Sequence, residues 1–131
     1  MMTIKQTLKT ICTASVLLFI SSCQKGGTGG NNEIAAFPKH HGKSIPGAVV
    51  YIKYDAKEFP GEDVSKYDAS GIAKIMMGED PHVHFEELKR GYYYLYSVGY
   101  DSAIAQVVKG GIGIHIKTKD GETDVDVPVT E

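Results

Sequence analysis

Residues 82–96 read HVHFEELKRGYYYLY, and this stretch decides the fold class. Side chains along a strand point alternately to opposite faces. Val83 and Phe85 therefore share one face, as do Tyr93 and Leu95, and together they predict a buried side. Gly91 stands at the bend between the two runs, where a residue without Cβ takes the backbone angles a turn requires. Leu88 is placed to plug the end of the pair. His82, His84 and Glu86 then point outward from the first run, and Tyr92, Tyr94 and Tyr96 from the second. Read as a hairpin, the segment gathers two imidazoles and three phenols on one outward face.

The same period of two recurs on either side. Val49, Tyr51 and Lys53 alternate with Val50, Ile52 and Tyr54, and Ile112, Ile114 and Ile116 alternate with Gly113, His115 and Lys117. Val125, Val127 and Val129 do so against Asp124, Asp126 and Thr130, with Pro128 marking the end of an edge strand. One apolar and one wet face per strand is the pattern of an antiparallel sheet. No window after residue 33 sustains a helical period. Strands are predicted at 34–41, 47–54, 71–77, 82–87, 92–99, 111–118 and 122–129, separated by Gly, Pro, Asp and Asn. Asp120-Gly121 predicts a hairpin turn between the last two. The expected fold is all-β, a seven-stranded antiparallel sandwich.

Two segments, Gly42-Lys-Ser-Ile-Pro-Gly-Ala-Val-Val-Tyr-Ile and His84-Phe-Glu-Glu-Leu-Lys-Arg-Gly-Tyr-Tyr-Tyr-Leu, extend this reading. They resemble the carboxypeptidase regulatory-like and transthyretin-like (prealbumin-like) β-sandwich modules. Those families read G-x-x-I/L-P-G-A-x-V and then F-x-x-L-x-x-G-x-Y-x-L, here Phe85, Leu88, Gly91, Tyr93 and Leu95. The resemblance covers about half of the domain and implies a structural or interaction unit. Where those modules place Asp-x-x-Gly before the fourth strand, this chain has Gly78-Glu-Asp-Pro81. A shared fold does not by itself assign a function.

The N-terminus sets the compartment. Lys5 and Lys9 precede the apolar run Ile11 to Ile20, and no acid occurs before Glu33. Ten residues are too few to span a bilayer as a helix, which needs about 20, but they suit the hydrophobic region of a signal peptide. The run closes on Ile20-Ser21-Ser22-Cys23, which resembles the lipobox of bacterial lipoproteins, with Ile where Leu is usual. The expectation is a cleaved signal peptide over 1–22 and lipid attachment at Cys23. A flexible linker would follow to residue 33, then one β-sandwich domain over 34–131. Cys12 lies in the part removed, so the mature chain keeps one cysteine and no disulfide, and acylation gives that odd thiol a purpose. Gln24, in the position where Asp would signal retention, leans the assignment to the outer membrane. Expected contacts are the membrane through Cys23, an envelope protein or glycan ligand, and a second copy of the chain.

Composition excludes several classes. Residues 23–131 carry net charge −4 with no basic stripe, so nucleic acid is not an expected partner. The connection from Asp55 to Ser70 holds five acids without the one-three-five spacing of a calcium loop. Phe59-Pro60-Gly61 and Tyr67 instead predict a loop packed by its own side chains. No Gly-x-Ser-x-Gly elbow, phosphate loop or HExxH occurs, so neither enzyme activity nor a cofactor is expected. The candidate binding face is His82, His84, Tyr92, Tyr94 and Tyr96. No metal site is assigned, the spacing-based alternative being His82, His84 and Glu86. His40 and His41 are neighbours on opposite faces of a strand and cannot share one site without a bulge. The expected function is a non-catalytic, membrane-anchored binding module of the cell envelope. The alternatives are a structural lipoprotein docking through a sheet edge and a histidine-based metal-binding protein or small hydrolase.

Overall fold

Alternating apolar residues produce eight strands in the computed structural model, which describes residues 25–131. They are β1 (Thr28–His40), β2 (Lys43–Ser44), β3 (Val49–Tyr54), β4 (Ala69–Ile72), β5 (Val83–Leu88), β6 (Gly91–Asp101), β7 (Gln106–Ile116) and β8 (Asp120–Pro128). One turn of 3-10 helix, Val64–Lys66, lies between β3 and β4. In the first sheet β1 pairs antiparallel with β5 and β2, and parallel with β8. The second sheet runs β4-β3-β6-β7, antiparallel throughout. The expected signal peptide and the expected lipid attachment at Cys23 lie outside the described residues. Among the described residues no helix is long and apolar enough to cross a membrane.

The two sheets face each other across the predicted apolar sides. Ile34, Ala36, Val83, Phe85, Leu88 and Val127 from the first meet Val50, Ile52, Tyr93, Leu95 and Ile116 from the second. Phe85 and Tyr93 are both buried, as their parity predicts, and Leu88 does close its end of the core. Ile45, Ala48, Val108 and Val129 form a smaller cluster at the opposite end. Both seams between the sheets are bridged, at Lys74–His82 and at Lys109–Thr130. Gly71 sits in the first of these, where a Cβ would lie 2.4 Å from a Val83 methyl.

Four expectations need correction. There are eight strands rather than seven, and β1–β8 is parallel, so the sandwich is not antiparallel throughout. β5 and β6 are not hairpin partners, because β5 pairs with β1 while β6 pairs with β3 and β7. The connection Lys89-Arg90 crosses between sheets, and parity cannot tell such an arch from a hairpin, since both bury Phe85 and Tyr93. For the same reason Asp120-Gly121 opens β8 instead of turning a hairpin back onto β7. Finally, the linker expected over 23–33 is largely structured, with β1 beginning at Thr28. Gly26 and Gly30 serve close packing: a Cβ on Gly30 would lie 2.2 Å from the Leu88 carbonyl oxygen, and one on Gly26 2.5 Å from the Tyr92 carbonyl oxygen.

Candidate metal centre

The outer face of the first sheet is built from alternate residues of β5, β1 and β8. In register, Ala35 lies between His84 and Asp124, and Glu33 lies beside Glu122. Ala35 ends in a methyl, which leaves room for the imidazole of His84 over the centre of the sheet. His84 Nδ1 faces Glu33 Oε1 in close contact. Glu33, His84 and Glu122 each offer a ligand atom, all within 4.8 Å of one another. The hydrogen bond with Asp124, then burial and the neighbouring Glu33 and Asp124 charges, push the Glu122 carboxyl above the usual range, with His84 opposing. Negative charge is thus crowded here.

His82 decides which tautomer His84 presents. It is buried, stacked on Phe37 with ring centroids 4.8 Å apart, and its Nδ1 lies 2.7 Å from the Asp80 carbonyl oxygen. A carbonyl only accepts, so His82 Nδ1 carries the proton, and the Nε2 of the neutral ring is left as an acceptor. That Nε2 is 2.8 Å from His84 Nε2, which donates to a neutral His82; Glu79 Oε2 lies 3.8 Å from the same His82 nitrogen. In that tautomer the Nδ1 lone pair of His84 faces the Glu33 carboxylate, with Glu122 in the same cluster. That nitrogen is buried, and its close contact with the Glu33 carboxylate lies outside hydrogen-bond geometry. A lone pair beside carboxylates is a place where a cation fits. Orientation of a ligand imidazole through its other nitrogen is the usual outer-shell support of a metal site.

His82 and His84 therefore come together as their spacing suggested, but Glu86 is exposed and outside the cluster. Glu33 and Glu122 take its place. Glu33 fell within the expected linker, and Glu122 is 38 residues beyond His84 in sequence. Only the outward parity of Glu122 with Asp124 and Asp126 could have pointed to it.

Tyr92, Tyr94 and Tyr96 lie on the other sheet, so the expected five-residue face does not form. Their own face is covered in large part by the 55–70 loop. Phe59 packs on Tyr94 and Tyr96 with centroids 5.7 and 5.3 Å away, and Tyr67 stacks on Tyr96 at 5.7 Å. Tyr96 is 3% exposed in consequence. Burial, chiefly, pushes the Tyr67 phenol up to about 12, and its hydroxyl donates to the Gly61 carbonyl. The loop packs chiefly on the sheet, through Phe59 and Tyr67 against Tyr51, Tyr94 and Tyr96, rather than by its own side chains as expected; within it Tyr67 holds Gly61 and Asp63 holds Ser65. Tyr92 stacks on His115 at 3.9 Å, with Lys57 Nζ 4.5 Å from its ring centroid. A cleft of about 270 Å³ remains beside Phe59 and Tyr94, flanked by the Lys109–Glu62 ion pair.

A second group, His40, His41 and Glu131, also clusters. Here both His40 nitrogens already face carboxylates, Asp101 Oδ2 and Glu131 Oε2, each at 2.7 Å. The imidazolium satisfies both, and the hydrogen bond to Asp101 is the largest cause of a pKa held above 6.5 against the opposing effect of burial. With both His40 nitrogens so engaged, His40, Asp101 and Glu131 form a structural ion triad.

No family model matches the chain, and a search of curated proteins returns no match.

Proposed function

We propose that this chain is a lipid-anchored, non-catalytic module of the bacterial cell envelope that binds a divalent first-row transition-metal ion at Glu33, His84 and Glu122. The observation behind this reading is His84, held by His82 through Nε2, its Nδ1 in close contact with Glu33 from β1 and clustered with Glu122 from β8. One imidazole nitrogen with two carboxylate oxygens is a donor set suited to zinc and its neighbours. Three protein ligands leave a fourth position for water or for a ligand brought by a partner. The surrounding face supports cation capture. Asp80, Asp124 and Asp126 lie beside the cluster, and the one lysine among them, Lys39, is engaged by Asp126 at 3.1 Å and Asp80 at 3.8 Å. The anchor rests on Ile20-Ser21-Ser22-Cys23, and the transthyretin-like relationship on the two motifs and the two facing sheets. Docking through a sheet edge has less support, since both seams are bridged.

Calorimetric titration of Zn²⁺ into metal-free protein tests the site. Wild type should bind one ion. His84→Ala, or Glu33→Gln with Glu122→Gln, should abolish saturable binding, and His82→Phe should weaken it roughly 10- to 100-fold through loss of orientation. Unchanged binding by His84→Ala would exclude this centre.

A further inference from the structure

One end of the sandwich combines the start of the chain with three connections: the segment after β3, the β5–β6 arch and the β7–β8 link. Lys25, Lys57, Lys89, Arg90, Lys117 and Lys119 all stand there, and all are exposed. They are half of the twelve cations in residues 25–131, against Asp55, Glu58, Glu87 and Asp120 at the same end. The rest of the surface is therefore strongly acidic while this end is basic. A mixed surface would scatter its cations; this one concentrates them where the chain enters the fold.

The entry itself is tightly held. Gly27 accepts a hydrogen bond from the Lys89 amide at 2.8 Å and donates its own amide to the Tyr93 hydroxyl at 2.8 Å. Gly26 and Gly91 are so close that a Cβ on Gly91 would lie 2.5 Å from the Gly26 nitrogen. Only four residue steps separate Cys23 from Gly27, a span of at most about 14 Å when fully extended. Whatever holds Cys23 therefore lies within about 14 Å of Gly27 and so near the basic end.

We propose that this end is a seat for anionic phospholipid headgroups, which orients the domain on the membrane with its β6–β7 tip outermost. The inference rests on the reading of Cys23 as the lipid-bearing residue, because acyl chains there bring headgroups within reach of these cations. Electrostatic attraction acts over about 10 Å at ordinary ionic strength, comparable to the tether. Acyl chains and a basic patch together make the two-part attachment that holds a protein stably. Repulsion between the acidic faces and the same headgroups favours the same upright pose.

The test uses residues 25–131, which contain both sheets and their whole core, so that acyl chains play no part. Flotation with vesicles of phosphatidylglycerol in phosphatidylcholine is compared with phosphatidylcholine alone. The protein should float with the anionic vesicles roughly tenfold more than with neutral ones, and should be released near 1 M salt, where screening shortens to about 3 Å. Lys89→Glu with Arg90→Glu and Lys119→Glu should remove the preference, while His84→Ala keeps it. Absence of flotation, equal flotation with both vesicles, or a preference that survives the three reversals would each overturn the proposal. The mass of the N-terminal peptide of the full chain, exported from a bacterial host, tests the Cys23 reading separately: an unmodified Cys23 with intact vesicle preference would refute the anchor and leave the basic seat standing.

Discussion

His40 Nδ1 and Asp101 Oδ2 lie 2.7 Å apart, joining the end of β1 to the end of β6 across the two sheets. The His40 side chain is almost wholly buried, and Glu131 closes its other nitrogen, so the C-terminal residue is tied into the same contact. Because the interaction links sheets that otherwise meet through apolar side chains, its charge state bears on how firmly this end is closed.

Stability should therefore depend on pH in a defined way. The His40 pKa is raised above 6.5, so its contribution is fully present below about pH 6.5 and is lost as pH rises through the raised value. The Asp101 carboxyl is lowered from 3.8, chiefly by its hydrogen bond with His40, so its share is present above that value and is lost as pH falls through the lowered one. The contact is strongest between these limits. Thermal melting should show a decline above neutral pH that is reduced in His40→Gln, which keeps hydrogen-bonding capacity but does not titrate. Parallel curves for the two proteins would show that the triad does not contribute.

Tyr93→Phe should loosen the entry of the chain while sparing the core ring. The lost hydroxyl donates to the Lys89 carbonyl at 2.7 Å and accepts from the Gly27 amide at 2.8 Å. Leaving such buried partners unpaired costs about 1–3 kcal/mol. Urea denaturation should report that loss, and the Gly27 amide should exchange faster with solvent. Wild-type exchange at Gly27 would mean that another group holds the segment.

Cys23→Ser removes the proposed site of acylation. Labelling with a tritiated fatty acid should disappear, and the exported protein should leave the membrane fraction when washed at high salt, since the basic end alone is screened away. A serine variant that stays with the membrane after such a wash would point to a different attachment.

The period of two in residues 82–96 was sufficient for the class of fold and for the buried partners Phe85, Tyr93, Leu88 and Leu95. Parity is a local property of extended backbone, so sequence by itself determines which side chains share a face. It also placed Val127 and Ile116 in the core. Pairing is not local. Whether β5 turns back onto β6 or crosses to the other sheet depends on competition between β1 and β6 for its edge, and β1 is thirteen residues long and begins inside the expected linker. That choice carried His82 and His84 away from Tyr92, Tyr94 and Tyr96, and the parallel addition of β8 brought Glu122 beside Glu33. The candidate metal centre thus draws on three strands that meet only in the folded sheet. Beyond the outward parity of Glu122, its two carboxylates had no signature in sequence, because what makes them candidate ligands is register, and register is settled by the packing of both sheets at once.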